Sequence, residues 1–400
     1  MFLLGGRVVG DLTGAMKRKF VMCVVGLVGI SGSVMAVEKS AVGVAVEKFV
    51  EAGEVAGAVA LVVDREKVVD VSAVGLADRE AGLPMKENAL FWIASMTKPI
   101  TGTAVMMLVE EGKLAMDDPV SKYLPEFAGL KDGDGKPVVV TLRQCLTHTA
   151  GLAEVEGEAA REIETLEGLM PKIVEKPVQF APGSRWQYCQ SSINTAARMV
   201  EVVSGKPFSE FLEERLFGPL EMKDTTFYPN DEQLKRLAKS YRRTDEGKLE
   251  AADLYFLGGK GITDRKRYPR ANGGLFSTAG DYGRFARMIL RGGEWDGVRY
   301  LKEESVKAMT SVLSGDLETG FTPGNGWGLG WCVVREPQGV TEALSAGSFG
   351  HGGAFGTQAW IDPEMGRAYV LMVQRANFPN SDASELRGAF QKAGAGLVAE

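Results

Sequence analysis

Strand-like sequence lies near both ends of this chain and scarcely at all between them, which limits the folds open to it. Gly57–Val63 and Val68–Val74 are rich in valine and alanine. They flank the polar run Asp64-Arg-Glu-Lys67, a pattern that predicts a β-hairpin. Far downstream, Cys332–Val334, Gly356–Ile361 and Ala368–Gln374 have the same character, the last two joined by the turn Asp362-Pro-Glu-Met-Gly366. The middle reads as helix. Ser191–Gly205 sets Ile193, Ala196, Ala197, Val200 and Val203 on one stripe, and Pro207–Leu216 is amphipathic. Thr278 is placed to cap a helix over Asp281–Leu290. Helices are also expected at Ser40–Ala52 and Ser384–Val398. This order suggests one sheet assembled from both ends of the chain, with a helical lobe inserted between.

Other stretches are less patterned. Residues 153–176 are acidic and helical, and Val138–Leu142 reads as a brief strand or an extended approach to the next helix. Leu146-Thr-His-Thr-Ala-Gly-Leu152 is a loop in which His148 is expected to tie down backbone. Residues 231–271 mix charge with glycine and read as loops over the surface.

At 400 residues, 45% hydrophobic and 24% charged, the chain suffices for one large domain or two lobes. Its net charge is −6, and no basic block follows Lys19, so nothing electrostatic points to nucleic acid. His148 and His351 are the only histidines, without a clustered Cys/His set, so a zinc site is not expected. Four cysteines occur, Cys23 within a leader and Cys145, Cys189 and Cys332 beyond it. Three argue against a disulfide framework but leave one bridge, Cys145 to Cys332, open.

That leader consists of the basic Met16-Lys-Arg-Lys19, the apolar run Phe20–Ile30 and the small residue Ala36 after Val34-Met. It resembles a secretory signal peptide starting at Met16 and cleaved after Ala36. The expected product is an exported, periplasmic or extracellular protein without stable membrane insertion. The alternative is a membrane anchor through residues 20–37. The apolar run is short against the about 20 residues a spanning helix needs.

Phe91-Trp-Ile-Ala-Ser-Met-Thr-Lys-Pro-Ile-Thr-Gly102 combines Ser95-x-x-Lys98 with a following apolar recurrence at Ile100, Ala104, Met107 and Leu108, which fits one buried face of a helix. Pro99 lacks an N–H and belongs in a first helical turn, so a helix must begin close to Ser95. Residues three apart on a helix share a face, which sets the Lys98 amine beside the Ser95 hydroxyl. A serine hydroxyl is a poor nucleophile until a base adjoins it. Two further short motifs follow in order: Tyr188-x-Gln190, just ahead of the Ser191 helix, and His351-Gly352-Gly353 among the late strands.

In this order and spacing the motifs resemble the serine β-lactamase and penicillin-binding superfamily. The likeness is to its class C β-lactamase-related branch, which includes family VIII carboxylesterases, DD-carboxypeptidases and D-aminopeptidases. It extends over about residues 40–375 and includes Asp118–Pro125, Gly274-Leu-Phe-Ser-Thr278 and Trp327-Gly-Leu-Gly-Trp331. The resemblance implies an α/β (α+β) β-lactamase-like fold: an antiparallel sheet flanked by helices, an all-helical lobe, and a site between them. Residues 37–400 would form one catalytic domain, with a sheet lobe at 37–94 and 322–400 and a helical lobe at 95–321.

It further implies an acyl-enzyme on Ser95, with Lys98 desolvated and able to relay a proton. Tyr188 would first take the serine proton and then protonate the leaving group, its pKa drawn down from about 10 by Lys98. The backbone N–H groups of Ser95 and Ala354 would form an oxyanion hole. Gln190, His351, Gly352 and Gly353 would contact substrate, an ester, peptide or β-lactam, with no metal or other cofactor. Two residues depart from the pattern. Gln190 stands where the family usually has asparagine, and His351 where class C β-lactamases have lysine. Losing that charge points to esters or D-amino-acid peptides, with weak β-lactamase activity. The rival readings are a true class C-type β-lactamase and a catalytically inactive binding or assembly protein.

Overall fold

A computed structural model describes residues 39–155, 158–257, 260–320 and 322–397. The expected leader, with Cys23, lies outside them.

The hairpin forms as its sequence predicts: β1 (Gly57–Asp64) pairs antiparallel with β2 (Val68–Asp78), and a short β3 (Leu83–Pro84) follows at the edge. The distal part of the chain supplies β4 (Asn325–Trp327), β5 (Cys332–Val334), β6 (Phe349–Gly352), β7 (Gln358–Asp362) and β8 (Arg367–Met372). All join one eight-stranded sheet in the order β4-β5-β6-β7-β8-β1-β2-β3. The two ends of the sequence meet where β1 runs antiparallel to β8, with Leu61 opposite Val370.

Alternate side chains of a strand point to opposite faces. Along β1, Ala58, Ala60 and Val62 enter a core with Val42, Val46, Leu386 and Phe390. These come from α1 (Ala41–Glu51), capped by the Ser40 hydroxyl, and from the C-terminal helix Glu385–Ala395. Val59, Leu61 and Val63 face a larger core that includes α2 (Thr97–Glu110), α3 (Gln190–Ser204) and α4 (Ala279–Leu290). A Cβ at Gly283 of α4 would lie 2.6 Å from Leu61 Cδ2, so the helix seats closely on the sheet and a larger residue there would push the Leu61 side chain aside. Burial on both faces explains the unbroken apolar run of β1, each large aliphatic side chain contributing about 1.5–3 kcal/mol.

Several expectations are corrected. The α2 helix buries Thr97 through Leu108 on every side and not on one face. Its threonines satisfy their hydroxyls locally: Thr101 donates to Thr97 O and Ala271 O, and Thr103 to Pro99 O. Of the two readings of Val138–Leu142, the extended approach to a helix holds and the strand does not: an isolated bridge joins Thr141 to Pro119, and Thr141 caps the helix Leu142–Leu146. The helix expected at Pro207–Leu216 is Phe208–Leu212 continued by a π-helical turn, Glu213–Phe217. Residues 231–271 do not merely skirt the surface, since Tyr241, Phe256, Arg267 and Tyr268 are buried. Cys145 and Cys332 are not bridged; with Cys189 they are free, buried thiols, and burial pushes Cys189 and Cys332 up to about 12. No described helix is long and apolar enough to cross a membrane.

Candidate active site

Ser95 sits at the tightest point of the chain's path into α2. The short strand Phe91–Trp92 pairs with Phe276–Ser277 and is followed two residues later by Ala94, whose φ of 45° is a left-handed conformation that costs a residue with a side chain about 1–3 kcal/mol. A turn over Ala94–Met96 leads into α2, with Pro99 in the first turn as required. Between Phe91 and Leu108, Ser95 alone is not buried. The helix is pressed against the chain at Leu329, where a Cβ on Gly102 would lie 2.2 Å from the carbonyl oxygen.

Lys98 is fully buried one turn beyond Ser95. Its Nζ lies 3.1 Å from Ser95 Oγ, 2.9 Å from Gln190 Oε1 and 2.6 Å from Asn272 O. Carbonyl oxygens only accept, so two of the amine's positions must be N–H bonds. The third faces Ser95, whose hydroxyl can accept or donate. When Lys98 is neutral, its lone pair therefore points at the serine proton. Burial lowers its pKa to about 7, against the opposing pull of Glu154, Cys189 and Asp382. The Asn272 amide also donates to Gln190 Oε1 at 2.9 Å and exchanges hydrogen bonds with Asn194, which holds the acceptor in place.

Tyr188 Oη donates to Ser95 Oγ at 2.7 Å, and its ring centre lies 4.5 Å from Lys98 Nζ. The expected lowering of its pKa by Lys98 does not occur: desolvation pushes the phenol well above 10, and it stays protonated. His148 fixes this segment. Its Nδ1 accepts the Cys189 N–H at 3.0 Å and its carbonyl accepts the Gln187 N–H at 2.9 Å, so it clamps both neighbours of Tyr188. Buried and held neutral, His148 has the structural part expected of it. Glu154 caps α3 through the amides of Gln190 and Ser191 and the Ser191 hydroxyl.

His351, on β6, is 3% exposed and presents Nε2 to Tyr188 Oη at 3.5 Å. Its Nδ1 is 2.6 Å from Gly352 O, an acceptor, so the proton sits on Nδ1 and Nε2 carries a lone pair. Burial and the nearby Lys98 lower its pKa to about 3. The two glycines that follow have no room for side chains. A Cβ on Gly352 would lie 1.9 Å from Asp382 Oδ1, and one on Gly353 2.6 Å from Ile93 O. That close passage brings Ala354 to the approach to Ser95, and both line one cavity of about 340 Å³ with Trp92, Gln190, Tyr255 and Asn272. Of the expected residues, Ser95, Gln190 and Ala354 line this cavity, whereas Lys98 and Tyr188 touch Ser95 from outside its lining and His351 is reached through Tyr188. Asn272, Glu154 and Tyr255 are additional; only Asn272 had a local signal, the tight Asn-Gly-Gly turn. A larger cleft of about 820 Å³, near Leu290 and Val333, holds none of Ser95, Lys98 and Tyr188.

This sheet, with a serine, lysine and tyrosine in mutual contact, defines a class within which the chain has clear relatives. It belongs to the beta-lactamase family, whose model matches residues 44–393. It is similar to Protein Rv1367c of Mycobacterium tuberculosis (strain ATCC 25618 / H37Rv), 34% identical over 368 residues, 85% of this chain and 90% of that one. It is also similar to Esterase EstB of Burkholderia gladioli, 30% identical over 348 residues, 80% of this chain and 86% of that one. Among solved structures, EstCE1, a hydrolase with promiscuous acyltransferase activity, superposes with a TM-score of 0.75 at 25% identity, covering 89% of this chain and 97% of its own. The protein is a β-lactamase-fold hydrolase related to esterases.

Proposed function

We propose that this hydrolase passes an acyl group through Ser95, acting on carboxylic esters or D-amino-acid peptides. The observation that carries the reading is the pair of polar contacts on Ser95 Oγ, with Lys98 Nζ at 3.1 Å and Tyr188 Oη at 2.7 Å. Neutral Lys98 takes the hydroxyl proton as Oγ bonds to the carbonyl carbon. The resulting oxyanion is met by the backbone N–H groups of Ser95 and Ala354, a donor of this kind being worth about 10²–10³ in rate. When the bond to the leaving oxygen or nitrogen breaks, Tyr188 gives up its proton and the Lys98 ammonium restores it. Water then adds to the acyl carbon as Lys98 takes its proton, and the Lys98 ammonium returns that proton to Ser95 Oγ as the acyl bond breaks and the carboxylic acid departs. The steps balance without a metal or other cofactor.

This assigns Lys98 as the first base and Tyr188 as the proton donor, because the phenol is held protonated and the amine is not. His351 bears on substrate choice. A neutral ring with a lone pair toward the site offers a carboxylate no attraction, so β-lactams are poor substrates beside esters. Relationship to an esterase supports the same ranking. Fluorophosphonate labelling of the native protein and of Ser95→Ala tests the reading: label on the native chain alone is expected. An unlabelled native protein points instead to the binding-protein alternative. Nitrocefin turnover above that of short p-nitrophenyl esters overturns the substrate ranking. Export belongs to the same proposal, and N-terminal sequencing of secreted protein should begin at Val37; a chain retaining Phe20 contradicts it.

A further inference from the structure

Two arginines line the cavity beside Ser95, and the acyl transfer itself employs neither. Arg161 comes from the short helix Glu158–Glu162, and Arg270 precedes Asn272 by two residues. Neither makes an ion pair among the described residues; Arg270 lies over the Tyr268 ring at 4.9 Å. The Glu154 carboxylate is no partner for them, being committed to the start of α3. Aromatic side chains line it as well: Trp92 stacks on Phe256 with centroids 4.4 Å apart, and Tyr255 meets Trp92 edge-on at 5.6 Å. Tyr255 is 67% exposed. It and Arg161 also border an adjoining cleft of about 920 Å³, so the cavity is not closed at that end.

On the mechanism proposed above, the leaving group must lie beside its proton donor, Tyr188. Tyr188 and His351 do not line this cavity, whereas Ser95, Gln190 and Ala354 do. The part of the substrate that fills it is therefore the acyl portion. A guanidinium fork suits a carboxylate, and attraction to a remote group of the donor helps hold the reacting carbonyl at Ser95. We propose that the preferred acyl donors carry a carboxylate at the far end of the acyl chain, held by Arg270 and Arg161, with the chain lying along the aromatic wall. This rests on the acyl-enzyme reading and adds the substrate class: hemi-esters or amides of dicarboxylic acids. Negative charge is recognised on the acyl side of Ser95 and not at His351.

The test compares kcat/KM for p-nitrophenyl hydrogen glutarate and adipate with their methyl-capped, uncharged counterparts. It uses the native protein, Arg161→Gln, Arg270→Gln and the double variant, at low and high salt. The expected native preference for the charged donor is about tenfold or more, falling with salt. In the double variant the ratio should come within about twofold of unity. Because the ratio is taken within each preparation, partial misfolding does not mimic the result. A native protein that uses capped esters equally well, or a preference that survives the double substitution, overturns the proposal while leaving the acyl-enzyme reading intact. No turnover of any ester that depends on Ser95 overturns both.

Discussion

Lys98 Nζ donates to the backbone carbonyl of Asn272 at 2.6 Å, and a carbonyl can never return a proton. That contact and the one to Gln190 Oε1 direct the third position of the amine at Ser95.

The state of the amine should therefore set the pH profile. Its pKa is lowered to about 7, so protonation removes the base as pH falls through 7. For a neutral ester, kcat/KM should fall about tenfold per pH unit below 7 and level off above it. His351, at about 3, is neutral throughout, and Tyr188, held well above 10, gives no descending limb below that value. A profile flat from pH 5 to 9 (about two units to either side of 7) rules out Lys98 as the base.

Replacing Gln190 by methionine keeps most of the side chain's volume and deletes the oxygen that accepts from Lys98. That oxygen favours the ammonium form, so its loss should move the rising limb to lower pH. An upward or absent shift in the same titration contradicts the network.

Tyr188→Phe keeps the ring packed against His148 and Trp327, 4.6 and 5.9 Å away, and removes only the hydroxyl. Turnover should drop by about 10²–10⁴ with little change in thermal unfolding. A loss below tenfold takes the phenol out of the proton path.

His351→Lys adds a cation where the native ring presents a lone pair. The ratio of nitrocefin to p-nitrophenyl acetate turnover should rise by about tenfold, the order expected for a charge-assisted hydrogen bond to a carboxylate. An unchanged ratio in a folded variant means that charge at this position does not govern β-lactam use.

Gly102→Ala places a methyl group against the Leu329 carbonyl, a backbone atom that cannot swing aside. Denaturant unfolding should show a loss of about 1–3 kcal/mol or more. A neutral effect requires that α2 can shift along Leu329.

What the sequence reveals about the site follows from distance along the chain. Ser95 and Lys98 are legible because helical geometry relates residues three apart. Tyr188 and His351 are legible through the ordered motifs of a known family. Asn272 is hinted at only by its tight Asn-Gly-Gly turn, because the group that meets Lys98 is a main-chain carbonyl, which no side-chain pattern marks. Glu154 escapes because its caps lie on a helix more than thirty residues away, read from contacts alone. The threonines of α2 mislead in the other direction: they resemble a polar face but hide their hydroxyls on backbone carbonyls. Tyr255 comes from a stretch whose mixed charge and glycine suggest only surface, yet it borders the cavity.

The pairing of β1 with β8 also imposes a timetable on biosynthesis. When Leu61 leaves the ribosome, Val370 has not been translated, and local helices can form long before the sheet's middle exists. Until the last strands arrive, one bare, valine-rich edge must be shielded from pairing with other chains. Ribosome-stalled fragments ending before β8 should thus be prone to aggregate and to bind chaperones, and the surroundings of Ser95 cannot be completed until translation is nearly over.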